Sequence, residues 1–335
     1  MSTEKLKSID EVARLAGVAK STVSRALNDS PLISAETKAR ILAIAAEHHF
    51  KPSSVARNLS LQSTRTIAFV NCAYCGTDCC ISDQFSLEIM GGLAIGLHDL
   101  GYDLLVLHID PADTDWASQY LDSGKVDGFI LMTAHNKRHH IDRLVQMGAP
   151  FIIWGPAEGE FCTVAGEDRK GGRMATERLL TLNRSHVGFL GGPRVEAEVQ
   201  LRHKGYIDAL EAADIGFDPR LVYYGDYSAR SAARAVEVLL EREPRLDALF
   251  AGSDVMAISA MRALAAHGRR VPEDVAVVGY DDLSLASYAT PALTTVSQNV
   301  NLAGRLLGRD LVSYLERGVV THSIVPVHLI GRESA

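Results

Sequence analysis

The chain has 335 residues, 47% of them apolar and 22% charged, with a formal net charge of −7. That length suits two or three domains, and the composition excludes a disordered or fibrous chain. No apolar run reaches the length of a membrane span, and the start, MSTEKLKSIDEV, lacks the apolar core of a signal peptide. Five cysteines, an odd number, argue for a reducing cytoplasm and against a disulfide framework.

The charge divides unevenly. Residues 1–66 hold ten Lys and Arg against six Asp and Glu, a net of +4, which leaves −11 for residues 67–335. A basic head on an acidic body fits a small nucleic-acid module joined to a part that does not meet phosphate. In the head, Ser8-Ile9-Asp10-Glu11 reads as a capping box, with Val12, Leu15 and Ala16 following at helical spacing. Gly17 breaks that helix, and a second helix is expected from Lys20 to Leu27, braced by Val18, Val23 and Leu27. Asn28 to Pro31 reads as a turn, Ser34 as the cap of a third helix carrying Ile41, Leu42, Ala45 and Ala46, and Pro52 as its end. Two helices joined by a tight turn form a helix-turn-helix, whose second helix enters the major groove. Lys20, Ser21 and Arg25 then stand as base readers, Arg25 suited to guanine O6 and N7. Thr22 and Asn28 suit phosphates, and Ser8 caps the first helix at the same surface.

From Thr66 the rhythm changes to apolar strands alternating with helix-length segments. The expected strands are TIAFVN, YDLLVLHI, VDGFILM, PFIIWG, HVGFLGG, LVYYG, DALFAGSD and VAVVGYDD. Such runs mean parallel sheets covered by helices on both faces, with a break between two lobes near residues 155–168. Ligands of such sheets bind beyond the carboxyl ends of the strands, so polar and aromatic residues there are the candidates. Trp154, Ser253, Asp281 and Asp282 end strands, Phe85 follows the first one, and the helix after FLGGP carries Arg202 and Tyr206. A carboxylate, a guanidinium, hydroxyls and aromatic faces suit a neutral, hydroxyl-rich molecule such as a sugar. Glu167, Asp254 and Asp282 also read as carboxylates that cap helix ends.

Other signals are set aside. Cys72, Cys75, Cys79 and Cys80 crowd one loop, but no second, well-separated CxxC completes a zinc site, so no metal and no cofactor are expected. His48-His49 and His139-His140 lack partners at ligand spacing and are expected on the solvated surface. FLGGPRVEAE is not a dinucleotide fingerprint, and no nucleophile elbow or HExxH occurs, so an enzyme is not expected.

The stretch IDEVARLAGVAKSTVSRALND, followed by ISAETKARILAIAAEHHFKPSSVARNLS, closely resembles the DNA-binding head of the lac repressor (LacI/GalR) family of bacterial regulators. The resemblance implies an α/β fold class: a helix-turn-helix head on a two-lobed core like that of periplasmic binding proteins. It implies a helix-turn-helix domain over 1–52, a hinge helix and linker over 53–65, and an effector-binding and dimerisation core over 66–335. The two lobes are expected at about 66–165 plus 295–320, and 166–294 plus 321–335. In that family a hinge leucine wedges into the minor groove, and Leu59 matches it, with Ala56 and Ser53 beside it. Arg202 resembles the arginine that clamps the effector, Asp281 the carboxylate that takes ligand hydroxyls, and Ser253 the position of an Asn or Ser. The sequence departs from the family at Ala19, where a Ser usually caps the recognition helix, and at Glu167-Asp168, commonly Asp-Asn. The expected partners are double-stranded operator DNA, a sugar-like effector and a second copy in a homodimer, and no membrane. No leucine heptad follows the last strand, so no tetramerising tail is expected. The expected function is repression of carbohydrate-utilisation genes, relieved by the effector. The alternatives are a nucleoside- or purine-type co-repressor, against which Phe85-Ser86 counts because two adjacent aromatics are missing, or a cytoplasmic sugar-binding protein of another role.

Overall fold

The structure, a computed structural model, describes all residues except 1–5, 7, 28, 51–62, 73–82, 111, 114, 133–137 and 157–158. It divides into two compact units, Met1–Thr64 and Arg65–Ala335. Asn28, Ser53, Ala56, Leu59, Cys75, Cys79 and Cys80 lie outside the described residues, as does the side chain of Cys72.

In the first unit, α1 (Ile9–Ala16), α2 (Lys20–Leu27) and α3 (Ala35–Glu47) pack around Val12, Val23 and Ile41, all fully buried. The helix ends follow from local chemistry. The Ser8 hydroxyl accepts from the Glu11 amide at 3.3 Å, and Ser34 accepts from Thr37 at 3.3 Å, each satisfying an otherwise unpaired first-turn donor. Gly17 stops α1 in the left-handed region at φ 62°, where it has no β-carbon to clash. Ala19 gives α2 no side-chain cap; only its carbonyl serves, accepting from Thr22 and Val23. The third helix turns a different face inward than its sequence suggested. Leu42 is 46% exposed and Ala46 is exposed, while Ile44 joins Ile41 and Ala45 in the core.

Among the described residues, the second unit holds twelve strands. They are β1 (Thr66–Cys72), β2 (Asp103–Ile109), β3 (Gly128–Met132), β4 (Phe151–Trp154), β5 (Cys162–Gly166), β6 (Val187–Gly191), β7 (Val222–Tyr224), β8 (Ala248–Ala251), β9 (Ala276–Asp281), β10 (Thr294–Ser297), β11 (His322–Val325) and β12 (His328–Ile330). The helices are α4 (Gln84–Asp99), α5 (Trp116–Leu121), α6 (Arg138–Met147), α7 (Asp168–Thr181), α8 (Ala197–Ala212), α9 (Ala229–Arg242), α10 (Asp254–Ala266), α11 (Ser284–Tyr288) and α12 (Val300–Arg317). The first sheet runs β11-β5-β4-β3-β1-β2 and the second β12-β10-β9-β8-β6-β7, every pair parallel except β10 with β12. Both sheets therefore use one winding scheme, and helices bury both faces of each, which is why strands such as FIIW and VGFLG are apolar throughout.

Two expectations about the lobes need correction. The span 155–168 is not merely a break, because β5 forms within it as a strand of the first sheet. Strand β10, placed in the first lobe from residue 295, pairs with β9 in the second sheet, and β11, placed in the second, pairs with β5 in the first. The chain therefore passes between the lobes three times, after Gly166, after Ser297 and after Val325. Strand alternation does not encode these crossings, because each sheet accepts the same kind of apolar strand.

The crossings lie side by side. The Glu167 carboxylate accepts from the Val327 amide at 3.2 Å, and a β-carbon on Gly166 would stand 2.9 Å from the Gln298 amide oxygen. His140, expected at the surface, is only 1% exposed, and its Nδ1 accepts from the Trp116 indole at 3.1 Å. The amphipathic face of α6 turns it inward. No helix is long and apolar enough to cross a membrane among the described residues, and no three metal-ligating side chains come together among them.

Candidate functional site

On the head, α2 buries Val23 and Ala26 and leaves Lys20, Ser21 and Arg25 exposed, with Thr22 half-buried. The exposed side of this helix thus carries the residues suited to base edges. Lys20 also pairs with Asp10 at 2.5 Å, but both side chains are more than half exposed, and such a pair is weak enough to open for a phosphate.

In the second unit the carboxyl ends of both sheets converge on the crossings. From the first lobe come Phe85, half-buried on α4, and Trp154, the last residue of β4, with ring centroids 6.1 Å apart. Asp83 holds this end of α4 in place by accepting from the Ser86 amide at 2.9 Å. From the second lobe comes a buried polar network. The Arg202 Nε donates to Asp168 at 2.8 Å and a terminal nitrogen donates to the Gly252 carbonyl at 2.6 Å. The guanidinium also lies 3.8 Å from the centre of the Tyr280 ring. Burial pushes the Asp168 carboxyl up, and Arg202 opposes that rise. Burial disfavours the charged guanidinium too, yet Asp168 beside it holds the arginine firmly protonated.

Asp281 ends β9 at φ 114° and Asp282 follows at φ 58°, two non-glycine residues in succession in the left-handed region. Such strain persists where the surroundings fix it. Here the Gln298 amide donates to Asp281 at 2.6 Å, and Arg332 pairs with Asp282 at 2.7 Å. Burial raises the Asp281 pKa despite Arg202 nearby. Behind it, Asp254 accepts from the Leu283 amide at 2.7 Å and from the Thr295 hydroxyl at 2.5 Å; burial, then Asp281, push its pKa well up. Asp254 therefore braces the loop after β9 rather than capping a helix, and the cap of α10 is Ser253, which accepts from the Met256 amide at 3.2 Å.

The structure thus gathers Arg202, Ser253 and Asp281 at one edge of the second sheet, and Phe85 and Trp154 at the corresponding edge of the first. Tyr206 is not among them. It is fully buried, and its hydroxyl donates to the carbonyl of Val187, the first residue of β6, at 2.8 Å. It packs at the opposite end of the sheet, because one further helical turn along α8 carries a side chain away from the cleft. Reasoning from sequence also missed Glu198 and Tyr227. Glu198 stands one turn before Arg202, and its Oε1 accepts from the Tyr227 hydroxyl at 3.4 Å. Tyr227 sits in the loop after β7 at φ 67°, with its ring against Gly192 beyond β6. The aromatic just past YYG was the available signal. Elsewhere, an open groove of about 990 Å³ outside α7 and α8 has most of its charges paired, as in Arg169 with Asp208 and Lys170 with Glu167.

Known proteins resemble the chain over its whole length. Residues 8–53 match the model of bacterial regulatory proteins of the lacI family, and residues 176–335 that of a periplasmic binding protein-like domain. The HTH-type transcriptional regulator CelR of Thermobifida fusca is 34% identical, with all of both chains covered. The solved CelR–cellobiose complex matches at 32% identity with a TM-score of 0.75, covering 98% of this chain and 100% of that one. The lac repressor dimer bound to operator and an anti-inducer matches at 25% identity with a TM-score of 0.83, covering 98% and 99%. With a relative of that identity aligned end to end, the chain belongs to the lacI family of bacterial regulatory proteins, which are regulators of transcription and not enzymes.

Proposed function

We propose that the protein is a cytoplasmic transcriptional repressor that binds a palindromic operator as a homodimer and is released when a carbohydrate enters the cleft. The observation that carries this reading is the pairing, in one chain, of an exposed Lys20-Ser21-Arg25 helix face with a strand-end cleft holding Arg202, Asp281 and an aromatic pair. Lys20, Ser21 and Arg25 read base edges, while Thr22, Asn28 and Ser8 fix the head on the backbone. Leu59, with Ser53 and Ala56, serves as the minor-groove wedge. A two-fold dimer matches the symmetry of a palindrome. In the cleft, Asp281 and Ser253 take ligand hydroxyls, Arg202 fixes the edge on which they stand, and Phe85 and Trp154 cover an apolar sugar face. The two sites share one coupling free energy, so operator DNA weakens effector binding as the effector weakens operator binding. The CelR–cellobiose complex supports a carbohydrate effector.

The test selects duplexes from a random pool with the full-length protein, then challenges the complex with cellobiose and a panel of other sugars. The reading expects a palindromic consensus and release by at least one sugar. A pool without sequence preference would remove the operator assignment, and a complex indifferent to every sugar would remove the carbohydrate.

A further inference from the structure

Arg202 is the one buried lysine or arginine among the described residues, and its charge is already met by Asp168. Asp168, the Gly252 carbonyl and the Tyr280 ring take its Nε, a terminal nitrogen and its face. Arg202 and Asp168 therefore cancel as charges. What remains at this end of the second sheet is a surplus of carboxylates. Among them Glu198 has an oxygen to offer a ligand: Oε2 is shielded from solvent and has no hydrogen-bond partner, while the other oxygen accepts from the Tyr227 hydroxyl at 3.4 Å. A buried acceptor left unpaired costs free energy that an incoming donor recovers.

The location makes that donor a ligand group. Glu198 lies in the first turn of α8, which follows the carboxyl end of β6, and Tyr227 follows the carboxyl end of β7. We propose that Glu198 is a specificity residue of the effector cleft, accepting from a hydroxyl or amine of the bound carbohydrate and rejecting an effector that carries a carboxylate or phosphate there. This rests on the reading of the cleft as a carbohydrate site. Rejection is the sharper half of the inference, since discrimination often comes from a repulsive element as much as from an attractive one. The charged groups facing Glu198 are Arg202 and Glu196 on its own segment and Asp168 on α7. Burial holds its pKa up, to about 7, Arg202 lowers it, and the other two carboxylates raise it. An anionic ligand would add one more negative charge to this set, whose one cation, Arg202, already faces Asp168.

The test measures binding to the full-length protein by calorimetry, without DNA, using matched sugars. Cellobiose is set against cellobiouronate, and glucose against glucosamine, glucuronate and glucose 6-phosphate. The neutral and aminated members should bind at least about tenfold more tightly than the anionic ones. Glu198→Gln, which keeps the shape and removes the charge, should shrink that ratio, and Glu198→Asp should retain it. A ratio unchanged in Glu198→Gln, or an anionic member that binds the unsubstituted protein as tightly as its neutral counterpart, overturns the role of Glu198 and leaves the carbohydrate reading standing. Where none of these sugars binds, the same comparison is made with the sugar that releases the operator complex and its uronate; release by no sugar overturns both.

Discussion

The two lobes of the second unit share a winding scheme but bring different chemistry to the cleft. The first contributes aromatic surface, Phe85 and Trp154, packed on an apolar core. The second contributes a connected set of ionic and polar groups, from Asp168 and Arg202 to Asp281 and Gln298. One lobe offers area, which is tolerant of orientation, and the other offers directed bonds, which are not. The difference teaches that a symmetric fold does not imply a symmetric site, and that the lobes should fail differently when altered.

The largest effect is expected at the ionic lobe. Arg202→Ala leaves Asp168 buried and unpaired, and should cost about 3–5 kcal/mol in a urea melt as well as abolishing release from operator. Replacing both partners, as in Asp168→Leu with Arg202→Met, should restore most of the stability but not the release. A single variant that melts like the parent would break the comparison.

A smaller effect should follow pH. The folded pKa of Glu198, about 7, lies above the ordinary value of 4.5 that it has unfolded. The folded protein thus holds this proton longer, so its contribution is greatest below the unfolded value and is lost as pH rises from about 4.5 to about 7. Glu198→Gln removes that loss. It should be more stable than the parent by about 3 kcal/mol at pH 8 and converge with it below pH 4.5. Other raised carboxylates, Asp254 and Asp281, tilt both proteins alike, so the difference between the two melting curves isolates Glu198. Parallel curves would show that the carboxylate is not held in this environment.

The smallest effect is expected at the aromatic lobe. Phe85 is half-buried, so Phe85→Ala should cost about 1 kcal/mol of stability. It should weaken effector binding while leaving the operator complex fully releasable at higher effector concentration. Loss of release at saturation would mean that the first lobe carries direction as well as area.

Much of this was legible in the sequence because the physics is local. Ser8, Gly17 and Ser34 mark helix ends by their own hydrogen bonds and backbone freedom, and apolar runs such as FIIW mark strands buried on both faces. Strand ends then pointed to Asp281, Ser253 and Trp154. What failed depended on distant partners. Tyr206 shares a helix with Arg202, yet which end of the sheet a side chain meets depends on how α8 lies across β6. The exchange of β10 and β11 between lobes depends on pairing with strands more than a hundred residues away in the case of β11. Glu198 gave no sign of itself, because a lone glutamate in a first helical turn looks like an ordinary partner for the helix dipole.

The three neighbouring crossings between the lobes have a mechanical consequence. A single cord would leave the lobes free to swing and spin, whereas two cords side by side define an axis. A third, beside them, resists twisting and leaves one soft rotation. Closure on a ligand is then motion along a single coordinate, like a leaf on a strap hinge. Gln298 sits on one strap, with its nitrogen on Asp281 and its oxygen toward Gly166 on another. Its amide thus spans from the strand end that carries Asp281 to the first crossing.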